Sequence, residues 1–334
     1  MTAPMLPGGP AVAGAAGVAT PTGASEAAGP AGARVELTDV SRWYGNVVAV
    51  NGVTFSLGPG VTGLLGPNGA GKSTLLHMIA GLLHPSAGAV TVDGRPTYGD
   101  PLVFRRVGLV PERETVFGFL SGREFIRLNA DLQGLRAPAE AVNRALATVE
   151  LEAAADRTLA TYSKGMRQRA KVAAALVHDP GVLVLDEPFN GMDPRQRIHM
   201  MELLRDLAGA GRTILFSSHI LEEVERVAER VLVVVAGRLA ASGDFREIRR
   251  LMTDRPHAFR LRTSDDRALA AAIVARPTVA GVALEDGRLI VRATDYAAFT
   301  NELAGIARDR GISIFELIPA DESLESVFAY LVRP

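Results

Sequence analysis

The chain has 334 residues, a formal net charge of −1 and no cysteine. Disulfides and thiolate metal centres are therefore excluded, and the whole-chain charge gives no footprint for nucleic acid or an anionic membrane. Hydrophobic residues make up 48% and charged residues 22%, the balance of a soluble globular protein with room for one large domain and a small one.

No apolar run approaches the roughly 18 residues that span a bilayer. The N-terminus also lacks the basic start and Leu-rich stretch of a secretory signal. If the protein serves a membrane, another chain does the spanning. Lysine occurs only at Lys72, Lys164 and Lys171, against 33 arginines. A position that keeps Lys then has use for a compact ammonium; Lys171 reads as chance, and Lys72 is decided by the motif around it.

Residues 1–33 are rich in Ala, Gly, Pro and Thr and carry one charge, Glu26. Such a composition buries too little apolar surface to offset its ordering entropy. It reads as a disordered tail or, equally, as the product of a mis-assigned start codon. Apolar–polar alternation predicts strands over 35–40 and 47–57. A short strand over 61–65 runs into a Gly-rich turn and a helix over 72–82. Further strands are predicted over 90–92 and 107–110. Residues 120–160 read as mostly helical, with breaks at Gly134 and Pro138, and a helix follows over 164–178. A buried strand over 182–186, a helix over 194–208 opened by Pro194, a strand over 213–217, a helix over 220–230 and a strand over 231–235 continue the alternation. That order implies an α/β fold with a mainly parallel sheet, into which a helical subdomain at about 115–178 is inserted.

Arg255-Pro256 marks a boundary. Beyond it come a strand over 258–263, a helix over 265–275, strands over 279–284 and 288–293, a helix over 295–308, a strand over 312–318 and a helix over 321–332. This is a β-α-β-β-α-β order, ferredoxin-like in outline, and it holds no catalytic motif. The expected organisation is a tail at 1–33, a nucleotide-binding domain at 34–255 and a small α+β accessory domain at 256–334, dispensable for basal activity but affecting dimer stability or coupling.

Gly66-Pro67-Asn68-Gly69-Ala70-Gly71-Lys72-Ser73 follows a strand and opens a helix, the required setting for the phosphate-binding loop G-x-x-x-x-G-K-[ST]. Glycines let successive N–H groups turn towards phosphate oxygens, and the helix N-terminus adds partial positive charge. Lys72 is placed to reach the β- and γ-phosphates and Ser73 to bind Mg²⁺; Thr74 follows at the same helix start. The apolar strand over 182–186 ends in Asp186 and Glu187. The first carboxylate orders the Mg²⁺ shell in hydrolases of this type, and the second is placed to activate the attacking water. A strand end with two solvated acids is the blander alternative, disfavoured by its place after Lys72 and by the Pro188 that follows.

Between these motifs, Tyr162-Ser163-Lys164-Gly165-Met166-Arg167-Gln168-Arg169 opens a helix. It resembles the signature motif of the ATP-binding-cassette ATPases, usually Leu-Ser-Gly-Gly-Gln. Ser163 and Gly165 keep the pattern; Tyr162, Lys164 and Met166 depart from it, and with Gln lost at 166 a contact to the partner nucleotide's ribose is not expected. Other motifs of the family fall in order. Tyr44 stands where the adenine-stacking aromatic lies. Asn190-Gly191-Met192-Asp193 resembles the loop that crosses the dimer interface, with Asp193 facing nucleotide. His219 resembles the switch histidine near the γ-phosphate. Glu112 replaces the Gln of the loop that links nucleotide to the membrane subunit, and remains able to bind Mg²⁺ or water. Residues 321–328 resemble the C-terminal end of cassette subunits from drug, antibiotic and polysaccharide exporters.

The resemblance, which covers about residues 34–250, implies a P-loop ATPase that binds ATP and Mg²⁺, with Glu187 and His219 catalytic. It implies a head-to-tail pair, with itself or a related cassette subunit, in which Ser163 and Gly165 serve the partner's site. It also implies separate transmembrane permease subunits, export as the direction, and a place on the cytoplasmic face of the membrane; nucleic acid is not expected. The alternatives are a soluble cassette ATPase acting on ribosomes or DNA and a non-hydrolysing ATP-binding regulator. Relatives of the first kind carry two cassettes or a long coiled coil, and the second predicts damage at Lys72, Glu187 or His219, all of which are present.

Overall fold

A computed structural model describes residues 34–113, 116–252, 255–285 and 287–332. The tail expected at 1–33 lies outside the described residues. β1 (Val35–Tyr44) pairs antiparallel with β2 (Val47–Leu57). β3 (Gly60–Leu65) leaves them for a second sheet and leads into α1 (Lys72–Ile79). β4 (Ala87–Val92) and the two-residue β5 (Arg95–Pro96) return to complete the order β2-β1-β4-β5. After β6 (Val107–Val110) come α2 (Gly122–Leu132), α3 (Pro138–Thr148) and α4 (Lys164–Leu176), which pack on one another as the helical subdomain. The start of α2 is fixed by a reciprocal cap: the Ser121 hydroxyl accepts from the Glu124 N–H, and Glu124 accepts from the Ser121 N–H at 2.7 Å.

β7 (Val182–Asp186), α5 (Pro194–Gly209), β8 (Thr213–Ser217), α6 (Leu221–Val227), β9 (Arg230–Val235) and β10 (Arg238–Gly243) follow. The central sheet has the order β10-β9-β3-β8-β7-β6 and is parallel except for the β9–β10 hairpin. β7 and β8 are buried along their whole length, because a parallel strand with layers on both faces meets no water. The helix after β8 is shorter than its predicted span of 220–230. Ala228 turns extended and Arg230 already pairs with Thr62 in the sheet.

α7 (Phe245–Leu251) leads to β11 (His257–Thr263), α8 (Asp266–Ile273), β12 (Val279–Glu285), β13 (Arg288–Ala293), α9 (Tyr296–Asp309), β14 (Ile314–Pro319) and α10 (Leu324–Val332). The third sheet is antiparallel with the order β12-β13-β11-β14. Phe259, Leu261, Leu289, Val291, Phe299 and Leu303 give it a hydrophobic core of its own.

α10 does not join that core. It packs on α6, α7 and β9, and Leu324 belongs to the cassette's own cluster with Val224, Val227 and Phe245. A buried ion pair secures the return: the Arg249 guanidinium on α7, fully buried, donates to Asp321 and to the Pro256 carbonyl at 2.9 Å. The sequence pattern marks α10 as a helix with a buried face, but not which core that face enters.

Candidate nucleotide site

The parallel sheet brings the C-terminal ends of β3, β6, β7 and β8 side by side, where an open α/β sheet binds its ligands. A cavity of about 510 Å³ opens there, lined by residues 68–74 together with Ala49, Glu112, Asp186, Glu187 and His219. The loop after β3 holds its shape through backbone freedom at Gly71. Its φ is +102°, and a Cβ there would overlap the Ala49 carbonyl. Lys72 is buried at the foot of α1, and its Nζ donates to the Gly66 carbonyl at 2.7 Å and the Pro67 carbonyl at 3.3 Å. The ammonium is thus held by the loop that it closes.

Asp186 and Ser217 are register partners on β7 and β8. The Ser217 hydroxyl donates to the Asp186 carboxylate at 2.5 Å and accepts from the Glu187 N–H at 2.9 Å. One hydroxyl therefore fixes both acids. Glu187 has φ +50°, a left-handed conformation that costs a non-glycine residue on the order of 1 kcal/mol and turns its side chain into the cavity. Its carboxylate lies 2.8 Å from His219 Nδ1; an ionised carboxylate only accepts, so Nδ1 carries the proton. Burial pushes the Glu187 carboxyl above the ordinary glutamate value, against the lowering influence of His219 and Lys72.

The other expected residues stand apart from this cavity. Tyr44 is exposed at the end of β1, with the Arg42 guanidinium 4.6 Å from its ring centroid. Core burial is thereby excluded for it, and the guanidinium lies over one face of the ring. Ser163 caps α4, its hydroxyl accepting from the Met166 N–H at 3.2 Å. Asp193 caps α5 in the same way, accepting from the Gln196 N–H at 2.9 Å. The two caps touch through side chains: a Cβ at Gly165 would overlap the Gln196 carboxamide, and one at Gly191 would overlap the Lys164 chain. The start of α4 and the loop over 190–193 therefore form one unit with the start of α5. Ser217, Gln196 and the contact of Lys164 with Gly191 escaped sequence reasoning because they cross between elements; only Ser217 left a trace, a small polar residue ending a buried strand beside the acidic one.

Residues 50–190 match the family model described as ABC transporter. A Nod factor export ATP-binding protein I of Burkholderia orbicola is 41% identical over 215 residues, which cover 63% of this chain and 71% of that protein. The chain belongs to the ABC transporter ATP-binding proteins. Another Nod factor export ATP-binding protein I, of Sinorhizobium fredii, is 39% identical over 228 residues, 67% of this chain and 63% of that protein. Among solved structures, an ATP-binding subunit of an ABC transporter is 32% identical with a TM-score of 0.59, covering 65% of this chain and 92% of its own. A dimeric bacterial ABC transporter cassette is 25% identical with a TM-score of 0.58, covering 63% and 98%. The cassette is accordingly an ATP-binding and ATP-hydrolysing subunit of an ABC transporter.

Proposed function

We propose that this cassette powers export by separate membrane-spanning subunits, at the cytoplasmic face of the membrane, through ATP-driven closure of a head-to-tail pair. The observation that carries the reading is the single cavity in which the phosphate loop meets Asp186, Glu187 and His219. In the proposed assignment Lys72 and the N–H groups of residues 66–74 hold the phosphates. Glu187 takes the proton of the attacking water, within the reach a general base requires, and His219 orients Glu187 and the γ-phosphate. Among the described residues no group of three or more His, Asp or Glu side chains suits a metal by itself. Mg²⁺ fits nonetheless, since it is ordinarily held by one or two carboxylates together with substrate phosphates. Ser73, Asp186 and Glu112 are the oxygen donors for it, and the ion would neutralise charge on the γ-phosphate.

Ser163 and Gly165 lie outside their own chain's nucleotide cavity, so the proposal gives them to the partner's nucleotide, with Asp193 at the same interface and Tyr44 under adenine. For the membrane partner, no helix among the described residues is long and apolar enough to cross a bilayer. An apolar groove between the central sheet and the helical subdomain, lined by Leu82, Phe104, Phe117, Leu128 and Leu132, adjoins the loop after β6 and is largely exposed. A cytoplasmic segment of the membrane-spanning chain is its proposed occupant. The export direction is supported by the named relatives, and residues 257–319 are read as an accessory unit on the cassette. Co-expression with the protein of the adjacent gene tests the reading. A membrane complex whose transport stops with Lys72→Ala supports it, and an ATPase that never associates with a membrane protein counts against it.

A further inference from the structure

All three lysines of this Arg-rich chain line two adjoining cavities. Lys72 faces the nucleotide; Lys164 and Lys171 face a second cavity of about 340 Å³. Glu112 and Glu187 belong to both, so the cavities meet at these carboxylates. Apart from Val116, the remaining wall of the second is cationic or amide: Arg113 after β6, Arg167 and Gln168 on α4, Asn190 after β7. Lys164, Gln168 and Lys171 recur at helical spacing and so share one face of α4. Gln168 is 8% exposed, and its Nε2 has no hydrogen-bond partner among the described residues. A buried amide donor of this kind calls for an acceptor, and the Lys164 ammonium and Arg113 guanidinium on the same cavity wall favour an anionic one.

We propose that this second cavity is an oxyanion site selective for phosphate. The two carboxylates set the selectivity. Hydrogen phosphate accepts from Gln168 and the cations while donating its own proton to Glu112 or Glu187; sulfate has no proton to give and meets only repulsion there. The ligand has two sources, phosphate set free beside Glu187 and phosphate from solution. The first source rests on the proposed role of Glu187, whereas the site itself does not.

Calorimetric titration of the full chain with inorganic phosphate and with sulfate tests the proposal. Phosphate is expected to bind both the wild type and Lys72→Ala, and sulfate to bind more weakly. Gln168→Leu, or the exposed Arg113→Ala should Gln168→Leu fail to fold, weakens phosphate by roughly tenfold, the size of one charge-assisted hydrogen bond, with ATP affinity kept. Phosphate binding that disappears in Lys72→Ala reports the γ-phosphate position instead and overturns the second site. Undiminished phosphate affinity in both Gln168→Leu and Arg113→Ala overturns it too. Absence of ATP binding by the wild type would sink the proposed function and leave the phosphate titration readable. Single-turnover release distinguishes the sources: faster release in Gln168→Leu assigns the site to product, and unchanged release with weakened binding assigns it to phosphate from solution.

Discussion

Glu187 carries three tests at the scale of single residues. Glu187→Gln keeps size and loses basicity, so hydrolysis falls by about 10²–10⁴ while ATP binding persists; single-turnover assays with parallel nucleotide titration check both. Near-normal turnover would remove Glu187 as the base. The pH dependence has a definite sign. A base acts deprotonated, and burial raises the Glu187 carboxyl, so activity is lost on acidification at a higher pH than for an exposed glutamate. His219 lowers that value, so His219→Ala moves the acid limb of kcat further up in pH, besides slowing the reaction. Lys72→Ala should weaken ATP binding itself, by removal of the point charge on the phosphates; unchanged affinity in calorimetry would exclude Lys72 from the site. Lys72, Asp186 and Glu187 were legible in the sequence because their chemistry sits in contiguous stretches. The bond from Ser217 that fixes both acids was not, because it runs between strands 31 positions apart.

Between elements, α4 approaches β6 closely beside the site. A Cβ at Gly108 would overlap the Ala175 carbonyl, and a backbone carbonyl cannot swing aside as a side chain can. Gly108→Ala should therefore lower stability by about 1–3 kcal/mol and tilt the helical subdomain. Urea unfolding reads the first effect, and an unchanged midpoint would show the contact to be slack. The strands of the central sheet were legible from their apolar runs. β10 and α7 were not, since Arg238–Gly243 is an edge strand of small residues and seven residues give a helix too little periodicity.

For the whole molecule, the proposed head-to-tail pair predicts complementation. Lys72→Ala and Ser163→Arg subunits, each inactive alone, share one intact site when mixed, because a two-fold interface repeats every contact. Some activity should return. Full inactivity with normal ATP-driven mixed dimers would place Ser163 in its own subunit's site or in none. The seating of α10 bears on the expectation that residues 256–334 are dispensable for basal activity while affecting dimer stability or coupling. Truncation after Arg255 removes Leu324 from the cassette's core and Asp321 from Arg249; the vacated leucine site alone is a loss on the order of 2–5 kcal/mol. Leu303→Ala, inside the third core, should instead loosen the accessory unit and spare ATP binding. Thermal melts with and without nucleotide separate these outcomes, and a truncated chain as stable as the full one would show that α10 merely rests on the cassette.

The late return of α10 has a consequence for biosynthesis. Leu324 fills a core that it shares with Val224, Val227 and Phe245, the last of which leaves the ribosome about eighty residues earlier. At the usual pace of translation that interval is roughly 4–16 s. Throughout it the nascent cassette bares an apolar trough over α6 and α7, while the strands of the third sheet are being made. The newborn chain thus offers chaperones a sticky patch that vanishes once α10 emerges and docks.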